Sequence, residues 1–216
     1  MTINGIHPLA NMIAAAARII SGAVVQWAGC NPDARQRIYF ANHTSHLDFV
    51  VLWACLPIEV RSHTRPVAAL DYWEASRLRR WLAKDVFRAI LVCRNHPSSA
   101  TQAAKEELAR ATLERIVHGM GDANSLIMFP EGTRGSGEEI TSFKSGLYYL
   151  ALRKPVAQVV PVHLENLNRI LPKGEFLPVP FISRVTFGSP LELQNGEPKS
   201  EFLVRARNAI CSLKDR

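Results

Sequence analysis

The sequence lacks the marks by which several enzyme classes are recognised. Its four cysteines, Cys30, Cys55, Cys93 and Cys211, stand far apart with no C-x-x-C pair, which excludes a disulfide framework and a zinc knuckle and fits a reducing compartment. There is no G-x-S-x-G elbow, and no cysteine has a base beside it in sequence. A nucleophile, where the chemistry needs one, therefore arrives on a substrate. Acidic residues are in the minority, 19 Asp and Glu against 26 Lys and Arg, for a formal charge of +7. That balance calls for an anionic partner: a nucleic acid, an acidic lipid surface or a phosphorylated small molecule. Nucleic acid is disfavoured, because no recognition motif accompanies the charge and no basic stripe alternates with exposed aromatics.

No Lys or Arg precedes the first apolar run and no A-x-A site ends it, so a secretory signal is not expected. The run itself, Pro8 to Gly29, is apolar for about the 20 residues of a bilayer crossing. Arg18 sits in its middle, however, and Asn11, Ser21 and Gln26 dilute it. A charge at mid-span is costly, so residues 1–30 are expected to form an amphipathic, interfacial helix in preference to a spanning one. A first helix packed on the core is the alternative. Residues 31–216 then form a single domain, without repeats or low-complexity segments.

Beyond Cys30, short apolar runs alternate with longer amphipathic ones, the pattern of an α/β domain with a largely parallel central sheet flanked by helices. Strands are expected near Arg37–Ala41, Pro66–Leu70, Ala89–Cys93, Leu126–Phe129, Val156–His163 and Ser183–Gly188. Helices are expected over Ser45–Leu56, Asp71–Lys84, Ser98–His118, Ser142–Arg153 and Ser200–Lys214. The third carries Ala103, Leu108, Ala111 and Ile116 on one stripe, with Gly119 as its stop. The longest loops fall at Gly135–Glu139 and Leu171–Pro180.

Sites in such sheets gather past the strand C-termini. After the first expected strand comes Asn42-His43-Thr44-Ser45-His46-Leu47-Asp48. Asp48 is placed to complete a capping box with Ser45. It is also one helical turn beyond His43, from where a carboxylate can hold the imidazole tautomer and steady an imidazolium. Such a pair supplies a general base and no nucleophile. H-x-x-H-x-D lacks a strong zinc signature, so no metal is expected and His46 is read as structural or substrate-adjacent. The fourth strand is followed by Phe129-Pro130-Glu131-Gly132-Thr133-Arg134-Gly135, where Gly132 allows close backbone approach and Arg134 and Lys144 offer charge to a phosphate. A solvated loop with Glu131 and Arg134 paired is the plain alternative. Arg94, at the end of the third strand, points to the same edge of the sheet.

Together these residues resemble the lysophosphatidic acid acyltransferase family. His43 to Asp48 reproduces its N-H-x-x-x-x-D motif, Phe129 to Arg134 its F-P-E-G-T-R motif, and Val160-Pro161-Val162 its V-P-V motif. The likeness spans roughly residues 37–188. It implies His43 as base, Asp48 as its orienting partner, and Arg94, Glu131, Gly132, Thr133 and Arg134, with Lys144 beside them, at the acceptor site. It also implies a lysophospholipid acceptor, an acyl carrier protein or coenzyme A thioester as donor, no metal or redox cofactor, and a place at the cytoplasmic face of the cell membrane, peripheral or monotopic. Two positions depart from the family pattern. Arg88 stands where the second motif, G-x-x-x-x-x-R ending at Arg94, usually has glycine. Ala69 stands where a phosphate-holding lysine is common, which leaves that task to Arg94, Arg134 and Arg88, or to an acceptor with a different head group.

Overall fold

The computed structural model describes residues 8–93, 101–171, 179 and 181–214. These residues build one seven-stranded sheet of order β1-β7-β6-β2-β5-β3-β4. In chain order the strands are β1 (Val24–Trp27), β2 (Arg37–Ala41), β3 (Thr64–Ala69), β4 (Ile90–Val92), β5 (Ser125–Met128), β6 (Gln158–Glu165) and β7 (Arg184–Phe187). The stretch from β6 to β4 is parallel throughout, β7 joins β6 antiparallel, and β1 joins β7 parallel. The expected mostly parallel sheet flanked by helices is present.

Every residue of β2 is buried, and its alternation assigns one side chain after another to opposite cores. Ile38 and Phe40 enter a cluster with α6 (Gln102–Met120), α7 (Gly146–Arg153) and the last helix, Lys199–Cys211. Tyr39 and Ala41 enter the other, with α1 (Pro8–Ser21), α2 (Asp48–Cys55) and Val60 of the short α3 (Ile58–Arg61). Ile38–Ala41, covered on both faces, reads as an unbroken apolar run, which is why the strand was legible from sequence.

The N-terminal apolar run divides. α1 ends at Ser21, Gly22 turns the chain at φ 49°, and Val24–Trp27 pairs with β7. The small face of α1, Ala10, Ala14, Ala17 and Ser21, is buried, and Asn11 Oδ1 accepts from the largely buried Arg61 at 2.7 Å. Among the described residues no helix is long and apolar enough to cross a membrane.

The helix expected over Asp71–Lys84 is also broken, into α4 (Leu70–Trp73), α5 (Arg77–Trp81) and a wider π-type turn at Leu82–Val86. Ser76 restarts it, its Oγ accepting from the Arg79 N–H at 3.2 Å. α6 begins under a Thr101 cap and ends at Gly121, with φ 53°. Gly119, the expected stop, lies inside the last turn, where an added Cβ would meet Ile90 at 2.7 Å.

Just past the π-type turn, Arg88 holds φ 52°, and the Ala89 N–H closes back on the Ala83 carbonyl at 2.7 Å. Left-handed backbone costs a non-glycine residue about 1–2 kcal/mol. This explains the family's glycine at that place in backbone terms. Arg88→Gly is expected to stabilise the chain by about 0.5–1 kcal/mol after allowance for glycine's extra freedom when unfolded. A urea midpoint that falls instead would assign more weight to the exposed Arg88–Ser62 hydrogen bond than to the strain.

Candidate active site

β2 and β5 are neighbours although β3 and β4 intervene in sequence. The loops after these two strands therefore meet at the C-terminal edge of the sheet, where ligands gather in open α/β folds. Each loop is anchored by its own sequence. Asn42 clamps the first one to β6, its Nδ2 donating to the Leu164 carbonyl at 2.9 Å and its Oδ1 accepting the Leu164 N–H at 2.8 Å. The two loops are then tied to each other, the Gly135 N–H donating to the His43 carbonyl at 2.8 Å.

On this frame His43 Nδ1 lies 2.8 Å from Asp48 Oδ2. The same carboxylate oxygen accepts the backbone N–H groups of Thr44 at 2.6 Å and Ser45 at 2.8 Å. The bond to Ser45 is one half of the capping box expected from sequence, but α2 begins only at Asp48, and Ser45 Oγ accepts the Leu47 N–H at 3.3 Å and donates to the Leu171 carbonyl at 3.1 Å. Asp48 is fully buried, while 18% of the His43 side chain remains exposed. Phe129 stacks on the imidazole with ring centroids 4.3 Å apart. Nδ1 is thus engaged and the ring plane fixed, which leaves Nε2, without a hydrogen-bond partner among the described residues, as the nitrogen able to exchange a proton with a ligand. The pair can serve as a general base that becomes a held imidazolium.

The remaining site residues divide by what they touch. Glu131 is buried and spends its carboxylate on backbone and hydroxyl groups: Oε1 accepts the His43 N–H at 2.7 Å, and Oε2 accepts Thr141 N–H and Oγ1 at 3.0 and 2.8 Å. It is thus bound to the histidine loop in place of Arg134. Gly132 adopts φ 74°, and the Lys144 side chain fills the space a Cβ would take, with Nζ 2.6 Å from that point. Thr133 is exposed and Arg134 half-buried. Neither Arg134 nor Lys144 meets a carboxylate among the described residues. Arg94 lies outside the described residues.

Sequence reasoning named Phe129 only as the first residue of its motif, without its contact to His43, and did not single out Tyr72 or Arg79. Tyr72 stacks on His46 at 5.2 Å between ring centroids, and the Arg79 guanidinium sits 4.6 Å from the Tyr72 centroid. Burial, then the charges of Arg134 and His43, hold the His46 imidazole below its ordinary pKa. Cys55 is no rival nucleophile, since burial pushes its thiol up to about 11 and keeps it protonated at neutral pH.

A family model described as Acyltransferase matches residues 28–165, more than half of the chain. The chain belongs to the acyltransferase family. Relatives of this acyltransferase include the 1-acyl-sn-glycerol-3-phosphate acyltransferase of Limnanthes alba, 29% identical over 168 residues, which cover 74% of this chain and 52% of that protein. The protein of the same name from Cocos nucifera is 26% identical over 188 residues, covering 82% of this chain and 56% of that one. The chain thus spans about half the length of the curated relatives it matches. Its fold is similar to the crystal structure of the 1-acyl-sn-glycerophosphate acyltransferase PlsC from Thermotoga maritima, at a TM-score of 0.70 and 18% identity, covering 96% of this chain and 79% of that one. The membership read from the N-H-x-x-x-x-D and F-P-E-G-T-R motifs is upheld.

Proposed function

We propose that this acyltransferase moves a fatty acyl group from a thioester, carried by acyl carrier protein or coenzyme A, to the free hydroxyl of a lysophospholipid, 1-acyl-glycerol-3-phosphate, giving phosphatidic acid. The observation that carries this reading is the 2.8 Å pairing of His43 Nδ1 with the buried Asp48. His43 Nε2 takes the hydroxyl proton as the alcohol oxygen attacks the thioester carbonyl. The tetrahedral intermediate then expels the thiolate, which recovers that proton from the imidazolium, so an ester and a thiol leave. The acceptor hydroxyl is the nucleophile, in keeping with the lack of an elbow serine or an activated cysteine. General-base help of this kind is worth about 10²–10⁴-fold in rate. No metal or redox cofactor enters the scheme.

The test uses labelled acyl thioester with lysophosphatidic acid, with other lysolipids, and with no acceptor. Label in phosphatidic acid supports the proposal. Release of free fatty acid at an equal rate without any acceptor makes the protein a thioesterase and overturns it.

Attachment to the membrane surface belongs to the same proposal. Opposite its alanine face, α1 exposes Met12, Ile19 and Ile20 at 68%, 80% and 39%. At its C-terminal turn the chain adds Phe181 and Ile182, exposed at 42% and 69%, with Ser183 bonded to the Ser21 carbonyl. The result is one apolar patch on a basic protein, suited to lie in a lipid interface with the catalytic loops reaching lipid from the cytoplasmic side. Basic residues near an anionic leaflet add about 1 kcal/mol each. Ile19→Glu with Ile182→Glu is expected to lower vesicle binding at least about tenfold, since each change removes a buried side chain's transfer energy. The fold should survive, because both side chains point outward. Flotation with anionic vesicles at low and high salt checks this; unchanged binding by the double variant places the membrane contact elsewhere.

A further inference from the structure

We infer that Arg79, seated over the Tyr72 ring that also stacks on His46, is a specificity-determining residue that takes the anionic phosphate monoester of the acceptor. This rests on the acyltransferase reading above and names the group that recognises the acceptor's head.

Among the described residues the C-terminal end of β3 offers no cation, because the strand closes on Val67-Ala68-Ala69. The chain supplies one by a detour. α4 carries Tyr72 to His46, three residues from His43, and the Ser76 cap restarts the helix so that Arg79 folds back over the Tyr72 ring. The broken helix that replaced the expected continuous one is what makes this placement possible. A straight helix from Asp71 would put the two residues about 10 Å apart along its axis at 1.5 Å per residue.

Arg79 is partly buried, whereas Arg77 and Arg80 on the same turn are exposed. Its guanidinium meets no carboxylate among the described residues. Arg134 is likewise unneutralised, and both charges act on His46 in the same direction, disfavouring its protonation. Asp48, the buried acid of the loop, is committed to His43 and two backbone N–H groups. Among the described residues, two guanidinium groups without a carboxylate partner thus act on the same imidazole, and Arg79 is joined to it through the Tyr72 ring. A planar guanidinium resting on an aromatic ring keeps its edge donors free for a phosphate, and the ring limits the rotamer freedom lost on binding.

The experiment measures kcat and KM for lysophosphatidic acid and for monoacylglycerol, which lacks the phosphate, in neutral detergent micelles so that attachment to an anionic bilayer plays no part. Arg79→Ala is expected to raise KM for lysophosphatidic acid by about 10–100-fold, the size of one charge-assisted hydrogen bond. The change in kcat should be smaller, and the kinetics with monoacylglycerol should be unaltered. Arg79→Lys should restore part of the loss, and Arg80→Ala, on the exposed side of the same turn, should cause none. Circular dichroism of each variant confirms that it is folded. If wild-type protein acylates lysophosphatidic acid and Arg79→Ala does so with unchanged KM, or loses both acceptors equally, the role of Arg79 is overturned and the reaction stands. If wild-type protein acylates monoacylglycerol alone, the acceptor assignment falls, and Arg79 with it.

Discussion

Asp48→Asn is expected to cut acyl transfer by about 10²–10⁴-fold while the chain stays folded, and His43→Ala to cut it at least as far. The geometry makes the first substitution informative. All three donors that reach Asp48, from His43, Thr44 and Ser45, converge on the single oxygen Oδ2. An asparagine can put its carbonyl oxygen there and keep every one of those bonds. What it loses is the negative charge that, in the proposed mechanism, steadies the imidazolium. The amide nitrogen would fall where Oδ1 now lies, buried and without a partner among the described residues, which costs about 1–3 kcal/mol of stability. That loss lies within the 5–15 kcal/mol margin of a typical domain. The rate should therefore fall by orders of magnitude in a protein whose circular dichroism is unchanged and whose urea midpoint drops only modestly. Because the two side chains act as a unit, the double variant should be no slower than His43→Ala alone. Full activity in Asp48→Asn would remove the charge from the mechanism, and multiplicative losses in the double variant would mean that the two residues act separately.

Some of this was legible in the sequence for physical reasons that can be named. β2 was read with its observed bounds because Ile38–Ala41, buried on both faces, is an unbroken apolar run set between Arg37, which opens the strand, and Asn42. The nearness of Asp48 to His43 was legible because it depends on one turn of local backbone. β1 was not. Val24 to Trp27 form a strand only because β7 arrives much later in the chain to pair with them, and until then the residues look like more of the apolar helix before them. The break at Ser76 was missed because Asp71–Lys84 has the composition of one amphipathic helix; the signal available was a serine three residues before Arg79, in capping position. Arg88 shows the reverse case. A family glycine replaced by arginine appeared to be a departure in chemistry, whereas the positive φ there ties that position to backbone shape. For Glu131 the sequence could say that a carboxylate stood near the site, but not whether it faced a ligand or the backbone beneath His43.

That last distinction carries the second large effect. Glu131→Ala is expected to destabilise the chain by about 1–3 kcal/mol, because it leaves the partly buried His43 N–H unpaired, while the N–H of the exposed Thr141 can turn to water. Activity should fall by about 100-fold in whatever protein remains folded, since a reacting group displaced by about 1 Å loses that much. Glu131→Gln separates the alternatives. Its single carbonyl oxygen can accept from His43 or from Thr141 but not from both, as the amide nitrogen must then confront an N–H at the other end. A residue that positions His43 therefore predicts lower kcat and lower stability together, with KM for the acceptor little changed. Thr141→Val, which removes only the Oγ1 bond to Glu131 at 2.8 Å, should give a weaker copy of the same pattern. A carboxylate that touched the acceptor directly would do the opposite, raising KM in Glu131→Gln with the urea midpoint unmoved and leaving Thr141→Val silent. The 2.7 Å bond from the His43 backbone favours the first outcome, and with it a site in which the F-P-E-G-T-R loop holds the His43 loop in register.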